Sequence, residues 1–129
     1  MSFTDYLEDK ILGHVFEGTA YTAPSTLYVG LHTSASSDSA AGTEVTGGSY
    51  ARQTATFSVS GTSPTEAATT SAIEFPTATA SYGTVTHVGV FDASSAGNLI
   101  AYAALTTSKA IDTGDVLRLP ANDLDVTMD

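Results

Sequence analysis

No cysteine occurs in the chain. Disulfides, thiolate nucleophiles and cysteine-ligated zinc are therefore excluded together, and stability has to come from packing and backbone pairing. Tryptophan is absent too, and only four side chains carry a fixed positive charge: Lys10, Arg52, Lys109 and Arg118. They are scattered among 14 acids, for a net charge of −10. Binding to DNA or RNA needs clustered Lys or Arg that displace counterions from phosphates, so this balance argues against a nucleic-acid partner. No apolar run approaches the roughly 20 residues of a membrane-spanning helix. The longest, Val88 to Phe91 and Leu99 to Leu105, have the length of strands. Residues 1–18 lack the basic start and apolar middle of a signal peptide, which leads to the expectation of folding in the cytoplasm and of no membrane partner.

What is present suffices for one core. At 129 residues, with five Phe and six Tyr, the chain fits a single domain over 1–129 that buries roughly two-thirds of its unfolded surface. Within it, 1–18 reads as an N-terminal helix and 19–129 as a β-sandwich. From Ser2 to Phe16 the residues Phe3, Tyr6, Leu7, Ile11, Val15 and Phe16 recur at helical spacing and form one stripe. Ser2 is the candidate cap, acids fill the first half where the helix dipole favours them, and Gly18 is a natural stop. The stripe has to cover an end of the following sheet or a neighbouring subunit.

Beyond Pro24 the pattern changes to short runs rich in Val, Thr, Tyr and Phe between Gly, Ser and Asp clusters. Seven strands are predicted: Thr26–Thr33, Tyr50–Ser60, Ala72–Phe75, Thr84–Asp92, Leu99–Leu105, Val116–Leu119 and Leu124–Met128. Alternation puts Leu27, Val29 and Leu31 on one face, and likewise Ala55, Phe57 and Val59, while Leu117 and Leu119 oppose Val116 and Arg118. The fold class that follows is all-β, a two-sheet antiparallel β-sandwich of about seven short strands with an N-terminal α-helix. Ser95–Asn98 and Asp112–Asp115 read as tight turns with glycine at the positive-φ position. Ser34–Ser49 and Thr62–Ser71 are too small-sided to bury much and read as surface loops, where partners are often met. No fixed-period repeat suggests a solenoid or a repetitive shaft.

Catalytic and metal chemistry finds little support. His14, His32 and His87 have no ligand-like spacing, and no G-x-S-x-G context frames a serine nucleophile. Asp112, Asp115, Asp123 and Asp125 are close in sequence but fit a turn and the solvated side of a last strand better than a calcium loop. Gly47-Gly48 lacks the lysine and helix of a phosphate cradle. Neither a cofactor nor a metal is expected. Arg52 has two readings: bidentate pairing with a carboxylate on a partner, or an internal pair with Glu44 or Glu74, of which the internal pair is preferred.

Four blocks of sequence, in order, give the chain a family resemblance. They are Tyr6 to Leu12 with His14; Thr19 to Pro24 leading into Leu27 to Thr33; Gly42 to Val45 followed by Gly48 to Gln53; and Phe75 to Ala80 through Gly83 to Gly89. Together they reach nearly end to end, and they resemble small proteins of tailed-phage structural gene clusters that are often labelled tail-fibre or virion proteins. Tyr82 stands where tryptophan is expected in similar sequences. The resemblance implies a non-enzymatic virion component. On this basis the expected role is a capsid decoration or cement protein, expected as a trimer, bound to the major capsid protein and to its own copies. Its candidate contacts are Phe3, Tyr6, Glu44 and Arg52, with the Ser34–Ser49 loop. The alternative is a tail-associated module that meets host glycan through Tyr21, Tyr28 and Tyr82.

Overall fold

Alternating β-branched residues dominate the middle of the chain, and a computed structural model, which describes residues 1–128, shows what they build. The last residue of the predicted 19–129 body lies outside it. The elements are β1 (Ser2–Phe3), α1 (Asp5–Leu12), a π-helical turn (Gly13–Glu17), β2 (Leu27–His32), β3 (Gln53–Ala55), β4 (Phe57–Ser60), β5 (Thr65–Thr69), β6 (Ile73–Glu74), β7 (Gly83–Phe91), β8 (Leu99–Ile111), β9 (Arg118–Leu119) and β10 (Asp125–Met128). All strand pairs are antiparallel. A five-stranded sheet runs β1-β8-β7-β2-β3, a three-stranded sheet runs β10-β5-β4, and β6 pairs with β9. The fold is all-β and sandwich-like, with one short helix, as the alternation predicts.

The register explains the core. Val29 lies opposite Val90 and Leu31 opposite Val88, and Ala101 and Ala103 continue these rows on β8. Val29, Leu31 and Val88 are essentially inaccessible and join Ile73, Phe75, Leu117 and Leu119 in one cluster. On the opposite face, Gly30 of β2 lies directly across from Gly89 of β7. A Cβ at Gly30 would come within 2.9 Å of Glu44 Oε1 and 3.1 Å of the Phe91 ring, so the missing side chain admits a layer of loop against the sheet. Both faces of the five-stranded sheet are thereby covered.

Several boundaries differ from the sequence reading, each for a local reason. The helix begins at Asp5, not at Ser2, because Ser2 and Phe3 pair with Tyr102 and Ala101 as an edge strand. The cap is Thr4, whose Oγ1 accepts from Leu7 N at 3.4 Å and donates to Leu99 O at 2.6 Å. One buried hydroxyl thus starts the helix and fastens it to β8. The π-helical turn from Gly13 widens the spacing and rotates the last residues off the predicted stripe. Tyr6 and Leu7 pack on the core, whereas Val15 and Phe16 are exposed. Tyr50–Ser60 is two strands, broken at Thr56, where the chain passes from one sheet to the other. The predicted loop Thr62–Ser71 contains β5, the central strand of the three-stranded sheet; its alanines and threonines are small because β4 and β10 flank it closely. β8 continues past Leu105 to Ile111 through an irregularity opposite Thr86. Among the described residues ten strands result in place of seven, the additional ones being short.

Candidate functional site

The densest polar arrangement is centred on Arg52. β2 loses its β3 partner after Val29, and Glu44 takes up the pairing three positions further on, as the bridge partner of His32. Between them the Leu31 N–H has no strand to meet. Tyr50 fills the gap: its hydroxyl accepts from Leu31 N at 2.9 Å and donates to Glu44 Oε1 at 2.8 Å. Its ring stacks on Phe75 and meets Tyr82 edge-on. Arg52 then closes the structure, with Nε to Glu44 Oε1 and Nη2 to Glu44 Oε2, both at 2.8 Å. Its Nη1 donates to the carbonyls of Ala93 and Ala96, and its guanidinium lies 3.5 Å from the centre of the Phe91 ring.

This clasp joins three segments that are distant in sequence: the Ser34–Ser49 loop, the start of β3 and the hairpin between β7 and β8. The Arg52 side chain is only 6% exposed and that of Glu44 27%, so the pair is shielded without being wholly dry. The sequence left Arg52 between a partner contact and an internal pair; the structure shows the pair with Glu44, not Glu74. Burial pushes the Glu44 carboxyl upward in pKa, but hydrogen bonds from Arg52 and Tyr50 outweigh it and hold the group below its ordinary value. Burial above all, with the hydrogen bond to Glu44 and its charge, pushes the Tyr50 hydroxyl well above the tyrosine range, against an opposing pull from the Leu31 N–H. The phenol therefore stays protonated and remains a donor. Tyr50→Phe should lower unfolding free energy by about 1–3 kcal/mol, because Leu31 N and Glu44 each lose a partner. Denaturant unfolding measures this, and a loss below about 0.5 kcal/mol would contradict the gap-filling role.

The Ser34–Ser49 segment is held rather than freely solvated. Thr33 N donates to Thr43 O and Val45 N to Leu31 O, while Gly42 N and Thr43 N are capped by the hydroxyls of Ser36 and Ser34. Asp38 O accepts from Asp5 N, and its carboxylate accepts from the Tyr102 hydroxyl. A cleft of about 420 Å³ results, lined by Asp5, Tyr6, Asp38, Ser39, Asn98 and their neighbours. Of the predicted contact residues, Tyr6 thus borders a cleft on this side, near the clasp of Glu44 and Arg52. Phe3 does not: it lines a second, apolar groove of about 230 Å³ between the two larger sheets, with Phe57, Val59, Val126 and Met128. Tyr82, one of the proposed glycan-facing aromatics, is 4% exposed and donates to Pro76 O, so it is a core residue.

His32 has an environment the sequence did not suggest. It is fully buried beside Phe91, and neither ring nitrogen has a hydrogen-bond partner. Burial above all, with the charges of Arg52 and His87, holds its pKa below 6.5, against an opposing pull from Glu44. The folded protein therefore excludes a proton that the unfolded chain binds. Stability from this group is complete above the ordinary histidine value and falls as pH drops below it. Glu44 adds an acid limb of the same sign at lower pH. Stability followed from pH 8 to 4 should thus decline continuously toward acid, and His32→Leu should flatten the slope between about pH 7 and 5. An unchanged slope in that variant would show that His32 is not the source.

The turn at Asp112–Asp115 is closed by Asp115 Oδ2 accepting from Asp112 N at 2.9 Å. Among the described residues, no three His, Asp or Glu side chains gather as a metal site. The arrangement is one of surfaces and fastenings. Compared with known families, residues 2–127 match the family described as Podophage GP4 fiber I protein gp80. The chain belongs to this family. It is accordingly a bacteriophage virion structural protein, in agreement with the four sequence blocks. Among curated proteins no match reaches significance. Sequence reasoning gave no role to Tyr50, Gly30 or the groove-lining Val59 and Met128. Only Gly30 had a legible signal, as a lone glycine inside a strand.

Proposed function

We propose that the chain is a docking subunit of the phage fibre, which attaches by protein–protein contact and performs no chemistry. The observation that carries this reading is the convergence of three remote segments, Asp5–Tyr6, Asp38–Ala41 and Gly97–Leu99, on one cleft, with the Glu44–Arg52 clasp fixing two of them. A preorganised face loses little conformational freedom on binding, so modest contacts suffice for attachment. The family description favours a fibre over a shell location. The excess of acids favours a basic protein surface as partner and faster encounter at low salt. Self-association into a trimer belongs to the same proposal, since symmetric assemblies multiply weak contacts.

Decoration of the outer shell, through the major capsid protein, is the second reading; an acidic exterior also suits a body kept apart from packaged DNA. Quantitative mass spectrometry of purified heads and tails separates the two. Fibre membership predicts a low, fixed number of copies that follows the tail fraction. Copies in proportion to the major capsid protein, in the head fraction, would replace it with the decoration reading.

A further inference from the structure

Among the described residues, two groups of apolar side chains are exposed close together. One is at the end of the N-terminal helix, where Leu12, Val15 and Phe16 are 56%, 65% and 79% exposed. The other is the groove between the two larger sheets, whose lining of Phe3, Leu27, Phe57, Val59, Val126 and Met128 is almost entirely carbon. Val59 and Met128 on its border are 72% and 53% exposed. The helix end does not line the groove of its own chain. Phe3 lines the groove, and Phe16 lies thirteen residues further along, about 20 Å away at the helical rise.

We propose that copies of this chain associate head to tail, with the Leu12, Val15 and Phe16 end of one helix seated in the groove of the next copy. This rests on the reading above that copies meet one another, and it assigns the surfaces. Charge favours these two surfaces. Copies with a net charge of −10 repel, so a self-contact has to keep acids few: among the described residues Glu66 is the single acid that lines the groove, and Glu17 is the acid next to Phe16 on the helix end. Area also bears on the geometry. Three such side chains cover at most about 400 Å², half of the roughly 800 Å² per partner of a stable pair. A head-to-tail contact, however, occurs twice on every copy, once through the helix and once through the groove. A ring closed by such contacts reaches the area that one contact lacks, and repeated contacts add avidity.

Sedimentation of the full chain tests this, with Phe16→Lys and Val59→Lys as variants. Both sites are exposed, and thermal melts confirm that the variants fold. Each substitution lowers the net negative charge, so weakened association would run against the general electrostatic trend. The expected result is concentration-dependent association of the parent chain that strengthens with added NaCl, and at least tenfold weaker association of each variant alone. Mixing the variants should give a heterodimer weaker than the parent assembly but stronger than either variant alone, because the groove of one and the helix end of the other still form a single contact that cannot close a ring. Association of both variants equal to that of the parent would overturn the assigned surfaces and leave self-association standing. Loss in Phe16→Lys alone would indicate helix-to-helix contact and equally overturn the groove. A parent chain that stays monomeric up to millimolar concentration would overturn both this inference and the self-association reading.

Discussion

Arg52→Ala should lower the unfolding free energy by about 3 kcal/mol, the lower end of the range for removing one partner of a buried ion pair, because Glu44 keeps some contact with water. The loss has several sources. Glu44 would retain its charge with only the Tyr50 hydroxyl as partner, and the carbonyls of Ala93 and Ala96 would each lose a donor. The Phe91 ring would lose the guanidinium packed on it. In a chain of this size such a change lowers the melting temperature by about 10 °C. Arg52→Lys should recover less than half of the loss, since one ammonium cannot satisfy both Glu44 oxygens and two carbonyls. Thermal and denaturant unfolding of both variants measure this. A change under about 1 kcal/mol for alanine, or full rescue by lysine, would mean that the clasp is incidental.

Phe75→Ala should cost about 3–5 kcal/mol, the range for truncating a buried aromatic. Phe75 is 1% exposed, stacks on Tyr50, and follows β6, with its N–H bonded to Leu117 O. Its ring therefore supports the Tyr50 end of the clasp as well as filling the core. Phe75→Leu should cost less than half as much, because the branched side chain fills part of the space. Because Phe75 contacts Tyr50, combining Phe75→Ala with Tyr50→Phe should give less than the sum of the separate losses. Strict additivity would separate the core from the clasp.

The alternating apolar residues of β2 and of the segment Val116–Leu119 were legible because burial of one face imposes a period of two. β5 was not, since Thr65–Thr69 is threonine, glutamate and alanine, and its place in a sheet is set by partners far away in sequence. The helix was visible by its spacing, but its start was misplaced because β1 pairs with a strand one hundred residues later. That Arg52 pairs internally was legible through the scarcity of bases, but the choice of Glu44 over Glu74 came only with the fold. The role of Tyr50 was hidden, because the interruption in the edge of β2 that it fills exists only once the sheet has formed. His32 reads as an ordinary strand residue for the same reason: its burial comes from Phe91 and the overlying loop.

The most direct test of a phage fibre docking subunit is an image reconstruction of the intact particle at a resolution that places side chains. The account predicts a β-sandwich density at the fibre, with the Asp38–Ala41 loop and the Gly97–Leu99 hairpin against a neighbouring protein. Density on the fibre with those segments facing only solvent would contradict the assigned face, and particles that contain no copy of this chain would contradict the account as a whole.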